Sequence, residues 1–407
     1  MVKKETIPLL YDHHTHTAGY TALLDSVDLS EIREKDQALS LIKEDCSEDK
    51  ANVVLGWNNS YYSFSRTEVE ELPPVVICNL SFHGFIFNEK AEEKVKKRFD
   101  DAEILKKIND PYWMERNLPA IMKFLVKLEG LDEEKLDVFF DFLSDNGIWR
   151  TDDMLLPGEN IIELFKDTGY DERTDFWADL QTYEELSEDA KGKVKGVKLF
   201  TDGALGPSTA AIKEKYTDGS EGILIYSDDG LEAVLRGLES LDVEKTSIHA
   251  IGNRATEQIV RSIKKMEKSG AYVPKTRIEH AQFISKSTAK DAKRLGIKLS
   301  MQPNFSLDSI HYSDRLPENY VKRNNPFRML IDHVGFIPGE DLIFGSDGMP
   351  YGVKPALESS LFPPYDGQKL TLHEFKDGFC LKNKKQGSIE VHIGEKEEEV
   401  AVEKINI

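Results

Sequence analysis

His14 and His16, in the stretch Asp12-His13-His14-Thr15-His16, close a short apolar run, and a strand there would turn both imidazoles to one face. A pair so placed can grip one divalent ion. Four further polar residues also close apolar runs: Lys198, His249, His280 and Asp347. Neutral imidazoles with a carboxylate suit zinc, and iron, manganese, nickel and cobalt accept the same donors. An ammonium has donors only and is a poor ligand, which leaves Lys198 two readings. One is a buried salt bridge to an acid such as Asp202; the other is a lysine carboxylated by carbon dioxide, an anionic bridge between two metal ions. Asp347 can touch a metal and also take a proton from the water that the metal acidifies.

These residues can converge only if the strands that carry them surround a common axis. Apolar, β-rich runs predict strands at about 7–11, 148–152, 174–180, 194–200, 246–249, 276–279, 297–301 and 342–344, with helical spacing between most of them, as at 230–240, 255–269 and 287–295. Eight strands alternating with helices predict a (β/α)8 TIM-type barrel, whose functional groups sit at the C-terminal ends of the strands; a doubly wound open sheet has the same local signature. Residues 21–46 have helical spacing, 53–57 and 75–80 read as a strand pair, and 88–107 and 118–143 read as helices. The stretch at about 47–146 is therefore an insertion after the first strand, within a barrel domain spanning 1–375. Residues 376–407 form a β-rich tail.

Composition narrows the function. Lys and Arg total 53 against 73 Asp and Glu, a net charge of -20, which disfavours nucleic acid or an anionic membrane as partner. Cys46, Cys78 and Cys380 are too widely separated for a disulfide framework or a cysteine-rich zinc site. No signal peptide or membrane-length apolar run is read, so a cytoplasmic protein is expected. The expected partner is a small-molecule substrate, with assembly into a homo-oligomer left open.

The stretches "YDHHTHTAG", "LGWNNS", "FHGFIFNEKA", "VKLFTDGALGPSTA", "HAIGNRATEQI", "RIEHAQFI", "MQPNFSLDS" and "IFGSDGMP" resemble the amidohydrolase superfamily of metal-dependent hydrolases, in its branch containing N-substituted formamide deformylase. The resemblance implies a barrel with a metal centre of one or two ions, zinc first, held by His14, His16, His249, His280 and Asp347, with Lys198 carboxylated if the centre is binuclear and Asp347 also the catalytic base. It places the insertion at the barrel mouth and His83 near the substrate. Family members open and close with halves of a small β-sandwich. With the barrel motif beginning at Tyr11, a reduced or absent sandwich is expected here, the tail with alternating Ile389, Val391, Ile393, Val400 and Val402 being its remnant. Asn253 also stands where an acidic residue is common.

Other residues carry two readings each. Trp57, with Tyr61, Tyr62 and Phe64, makes either a wall for an apolar substituent or the core of the insertion. Asp202 opens a small-residue loop that either admits substrate or is a plain turn. Gln302, Asp308, His311 and Arg315 follow the seventh barrel strand and can bind a polar or anionic group, while Arg277 reads as a barrel salt bridge. The function expected is hydrolysis of a carbon–nitrogen bond other than a peptide bond, in an amide, formamide or cyclic amide. The alternatives are an ester or lactone hydrolase on the same centre, or a barrel that binds metal or ligand without catalysis.

Overall fold

A computed structural model describes residues 2–80, 82–98, 104, 107, 108, 110–394, 396 and 398–407. The later part of the helix read over 88–107 lies partly outside these residues. The chain divides into two compact units, Met1–Ala18 with Leu136–Ile407, and Gly19–Lys135. In chain order the strands are β1 (Val2–Pro8) and β2 (Leu10–Thr15), then β3 (Val27–Asp28), β4 (Asn52–Trp57), β5 (Val75–Asn79) and β6 (Phe85–Phe87) of the second unit. The first unit resumes with β7 (Ile148–Asp153), β8 (Thr174–Asp179), β9 (Val194–Phe200), β10 (Lys245–Ala250) and β11 (Lys275–His280). It ends with β12 (Lys298–Met301), β13 (Leu342–Phe344), β14 (Ser388–Gly394) and β15 (Glu399–Asn406).

In the first unit β2, β7, β8, β9, β10, β11, β12 and β13 form one sheet in that order, each pair of neighbours parallel. Its two edges meet: the Asp347 N–H donates to the His14 carbonyl at 2.7 Å, and the Ser346 N–H to the Asp12 carboxylate at 2.8 Å. This is the expected barrel. A strand in such a sheet is covered on both faces, and here the two faces differ in chemistry. Ile248, Ile278, Leu299 and Leu342 are fully buried, alternating with Ser247, Arg277, Glu279 and Ser300, which are also buried. The helices behave as amphipathic covers, as in Asp228–Ser240, which buries Leu231, Leu235 and Leu238 and is capped by Ser227 accepting from the Gly230 N–H.

The first strand differs from the expectation over 7–11. Ile7 and Pro8 belong to β1, which runs antiparallel to β14, and β14 pairs with β15 in a three-stranded sheet. The barrel strand proper is β2. Both ends of the chain thus contribute to a reduced sandwich layer, buried on one side through Ile7, Ile389 and Val391.

In the second unit β3, β4 and β5 are parallel and β6 joins antiparallel. The core there is Leu29, Ala38, Ile42, Val54, Leu72, Val75 and Ile77. The helical stretch read over 21–46 is narrower than its pattern, with the helix confined to Lys35–Asp45. The stretch over 118–143 is two helices, Leu118–Glu129 and Glu133–Asp145, parted at Gly130, whose φ of +77° a side chain would resist. Among the described residues no helix is long and apolar enough to cross a membrane.

Candidate metal centre

Strand parity does most of the positioning. Paired residues of neighbouring parallel strands share a face, and register aligns Phe200 with His249, His249 with Glu279, and Glu279 with Ser300. His280 follows Glu279 and should therefore point the other way. It does not, because its φ is +67° and that of Ala281 +49°, a left-handed step that breaks the alternation as the strand ends. Asp347 likewise has φ +57°. Non-glycine residues held in this region are uncommon and cluster at functional sites. The seam between β13 and β2 needs a glycine: a Cβ on Gly345 would lie 2.4 Å from the His14 nitrogen.

Ligand atoms of His14, His280 and Asp347 all lie within 4.8 Å of one another. Asp347 Oδ1 is 3.6 Å from His14 Nε2 and 3.5 Å from His16 Nε2. The His280 ring is 4.7 Å from that of His14 and 4.5 Å from that of His249. Partners on the opposite ring nitrogens fix the tautomers. His14 Nδ1 is 2.5 Å from Glu279 Oε2, and His280 Nδ1 is 2.7 Å from Gln302 Oε1. Both partners accept, so both histidines carry the proton on Nδ1 and keep Nε2 as the lone-pair nitrogen. His249 is turned round, with Nε2 donating to the Gly203 carbonyl at 3.1 Å, which leaves Nδ1 as its lone-pair nitrogen.

Electrostatics favour a neutral His280 ring. Burial, then the neighbouring His249 and His14, hold His280 well below the usual imidazole range. Burial alone would raise Glu279, but the Arg277 guanidinium, followed by His14, holds it well below the usual carboxylate range. Lys198 is fully buried, and its Nζ has no hydrogen-bond partner among the described residues. It lies 5.0 Å over the Phe200 ring, which stacks on His249 at 5.4 Å. Burial lowers its pKa to about 8 although Glu279 and Asp347 favour the charged form, so an uncharged amine is accessible near neutral pH. An orphaned buried amine among lone-pair nitrogens and a carboxylate fits a site built for cations, and the salt bridge to Asp202 is not formed.

Asp202 turns its carboxylate to the loops after β9 and β10, with Oδ1 also 3.5 Å from His249 Nε2. It accepts N–H bonds from Ala211 at 2.9 Å, Ile251 at 3.0 Å and Gly252 at 2.7 Å. The loop after β9 packs Ala204, Leu205, Ala210 and Ile212 against Ile251, Phe283 and Tyr320. His311 lies exposed in the helical turn Asp308–His311. Gln302 serves His280, Asp308 accepts from Gln282 at 2.8 Å, and Arg315 bonds the Gly206 carbonyl. Asn253 donates to the Tyr320 hydroxyl at 2.8 Å. His83 and Trp57 belong to the second unit. There His83 Nδ1 is 2.7 Å from Glu115 Oε2, both groups buried, while Trp57, Tyr62 and Phe64 pack against the core of that unit and Tyr61 is exposed.

Glu279 was not among the sequence candidates. Its signal was present: Arg277 and Glu279 alternate along β11, so both enter the interior of the barrel together. Arg277 Nη1 reaches Asp152 Oδ2 at 2.6 Å while its Nε bonds Glu279, the barrel salt bridge expected of it.

Residues 155–356 match the model of the amidohydrolase family. The matched segment covers just under half of the chain. It holds Lys198, His249, His280 and Asp347, and His14 and His16 precede it. Over 217 residues, 47% of this chain, the sequence is 30% identical to "Putative amidohydrolase YtcJ" of Bacillus subtilis, of which it covers 39%. Over 355 residues, 75% of this chain, it is 23% identical to "Protein LONG AFTER FAR-RED 3" of Arabidopsis thaliana, covering 60% of that protein. The chain thus spans about two-fifths to three-fifths of the length of these relatives. An uncharacterized metal-dependent hydrolase from Pyrococcus furiosus superposes with a TM-score of 0.64 at 20% identity, covering 92% of this chain and 80% of its own. One from Pyrococcus horikoshii gives 0.63 at 22%, covering 88% and 74%. At such identity these two structures speak for the fold alone.

Proposed function

We propose that the chain is a metal-dependent hydrolase that cleaves a carbon–nitrogen bond other than a peptide bond in a small molecule. The observation that carries this reading is the convergence of His14, His280 and Asp347 within 4.8 Å at the barrel's closing seam. The family match over residues 155–356 supports it. His14, His16, His249, His280 and Asp347 are the residues that would hold the ion or ions, zinc first from the donor set. Lys198, as an uncharged amine, would add to carbon dioxide with loss of one proton, giving a carboxylate that spans two ions. A divalent ion there supplies Lewis acidity and an acidified water. Asp347 then takes the proton of the attacking water and returns it to the leaving nitrogen as the tetrahedral carbon collapses. A base on the seam strand is held by its own backbone bond to His14, so its carboxylate stays aimed at the histidines.

The test is metal content per chain together with intact mass under nondenaturing conditions. Two ions and a mass increase of one carbon dioxide that disappears in Lys198→Ala are expected. One ion without the adduct would leave a mononuclear enzyme resting on Asp347; no ion after reconstitution with zinc would overturn the reading. Turnover is then compared on N-substituted formamides, the substrates suggested by the branch resemblance, on cyclic amides, and on their ester and lactone isosteres. Faster cleavage of the esters would move the activity to carbon–oxygen bonds.

A further inference from the structure

The histidines of the centre are backed unequally. His280 leans on a neutral amide, Gln302 Oε1 at 2.7 Å. His14 leans on a charged group, Glu279 Oε2 at 2.5 Å. Glu279 is itself built in: it is fully buried, its Oε1 accepts from Ser247 Oγ at 2.5 Å, and Arg277 Nε bonds the same oxygen. Arg277 is anchored at its other end by Asp152 Oδ2 at 2.6 Å and the His13 carbonyl at 3.2 Å. Asp152 Oδ1 is in turn 2.7 Å from the Tyr11 hydroxyl, which also meets Asp175. The result is a chain of buried partners, Asp152, Arg277, Glu279 and His14, that crosses the barrel interior and ends on one imidazole.

Resting on the metal-centre reading above, we infer that Glu279 is the positioning residue that makes His14 a stronger nitrogen donor than His280. A carboxylate that accepts from Nδ1–H fixes the ring angle and its tautomer, and it raises the electron density at Nε2. An amide partner does the first two and little of the third, so His280 is the weaker donor. Arg277 and Ser247 hold the carboxylate so that its second oxygen cannot swing away from the ring. Glu279 touches no reacting atom in this assignment, and it acts only through His14.

The experiment measures zinc affinity of the metal-free protein by competition with a chromophoric chelator, and the visible absorption spectrum of the cobalt(II) form. Wild type is compared with Glu279→Gln, Ser247→Ala and Gln302→Ala, with melting of each metal-free protein as a check on the fold. Glu279→Gln is expected to weaken zinc binding about 10- to 100-fold and to shift the cobalt bands, with a smaller loss in Gln302→Ala. Ser247→Ala, which leaves the charge in place and loosens its hold, is expected to lose about 3-fold. Equal zinc affinity and an unchanged cobalt spectrum in Glu279→Gln would overturn the inference and leave the hydrolase reading standing. A Gln302→Ala loss exceeding that of Glu279→Gln would overturn it as well. If Glu279→Gln does not fold, Ser247→Ala decides, and unchanged affinity there counts against the inference. Failure of the wild type to take up zinc would instead remove the reading on which it rests.

Discussion

At the residue scale the proposed centre would separate holding an ion from moving a proton. The histidines would hold, and Asp347, 3.6 Å from His14 Nε2 and 3.5 Å from His16 Nε2, is the group placed to do both. Asp347→Asn keeps the size of the side chain and one ligating oxygen but removes the base. Turnover is expected to fall about 10²- to 10⁴-fold while zinc content stays within a factor of two, read by single-turnover assay and elemental analysis. Near-normal turnover in that variant would exclude Asp347 as the base. Lys198 is the complementary case. A buried cation that lacks a hydrogen bond is costly, and its pKa near 8 reflects that cost through burial.

At the element scale, the candidate ligands sit where strands stop. Seven of the eight barrel strands were legible because each is a short apolar run covered on both faces and punctuated by turn residues. The first was misplaced by a few residues, since β1 and β2 follow one another with only Leu9 between them and nothing local marks where the pairing partner changes from β14 to β7. His280 was legible by type but not by parity, because the left-handed step that turns it inward depends on the barrel around it. Glu279 was legible as an inward polar residue of β11 but not in its role, because that role lies in contacts with His14 of β2 and Ser247 of β10. The two-helix break at Gly130 could have been read from the glycine itself. Where elements meet most closely, the sequence has little freedom. A Cβ at position 345 would press on the His14 nitrogen at 2.4 Å and its Cβ at 2.8 Å. Gly345→Ala is therefore expected to part β13 from β2, costing about 1–3 kcal/mol in chemical denaturation and weakening zinc binding at least 10-fold. Stability and metal affinity both equal to wild type would show that the seam does not position the site.

At the scale of the whole molecule, the first and last strands of the barrel are joined by backbone bonds and by the same cluster of donors. An ion bound there would act as a clasp across the closure. Loading metal-free protein with zinc at about a thousand times its dissociation constant is expected to stabilise the fold by about 4 kcal/mol, read as a rise in melting temperature that EDTA reverses. No rise would mean that the ion, if bound, does not bridge the seam. The closure also sets a timetable. His14 precedes Asp347 by 347 − 14 = 333 residues, so at roughly 10 residues per second the two are separated on the ribosome by on the order of half a minute. Until β13 has emerged, the histidines of β2 have neither the carboxylate nor the strand edge that completes them. A nascent or broken chain therefore offers no finished cage, and metal acquisition reports that synthesis has passed the last barrel strand.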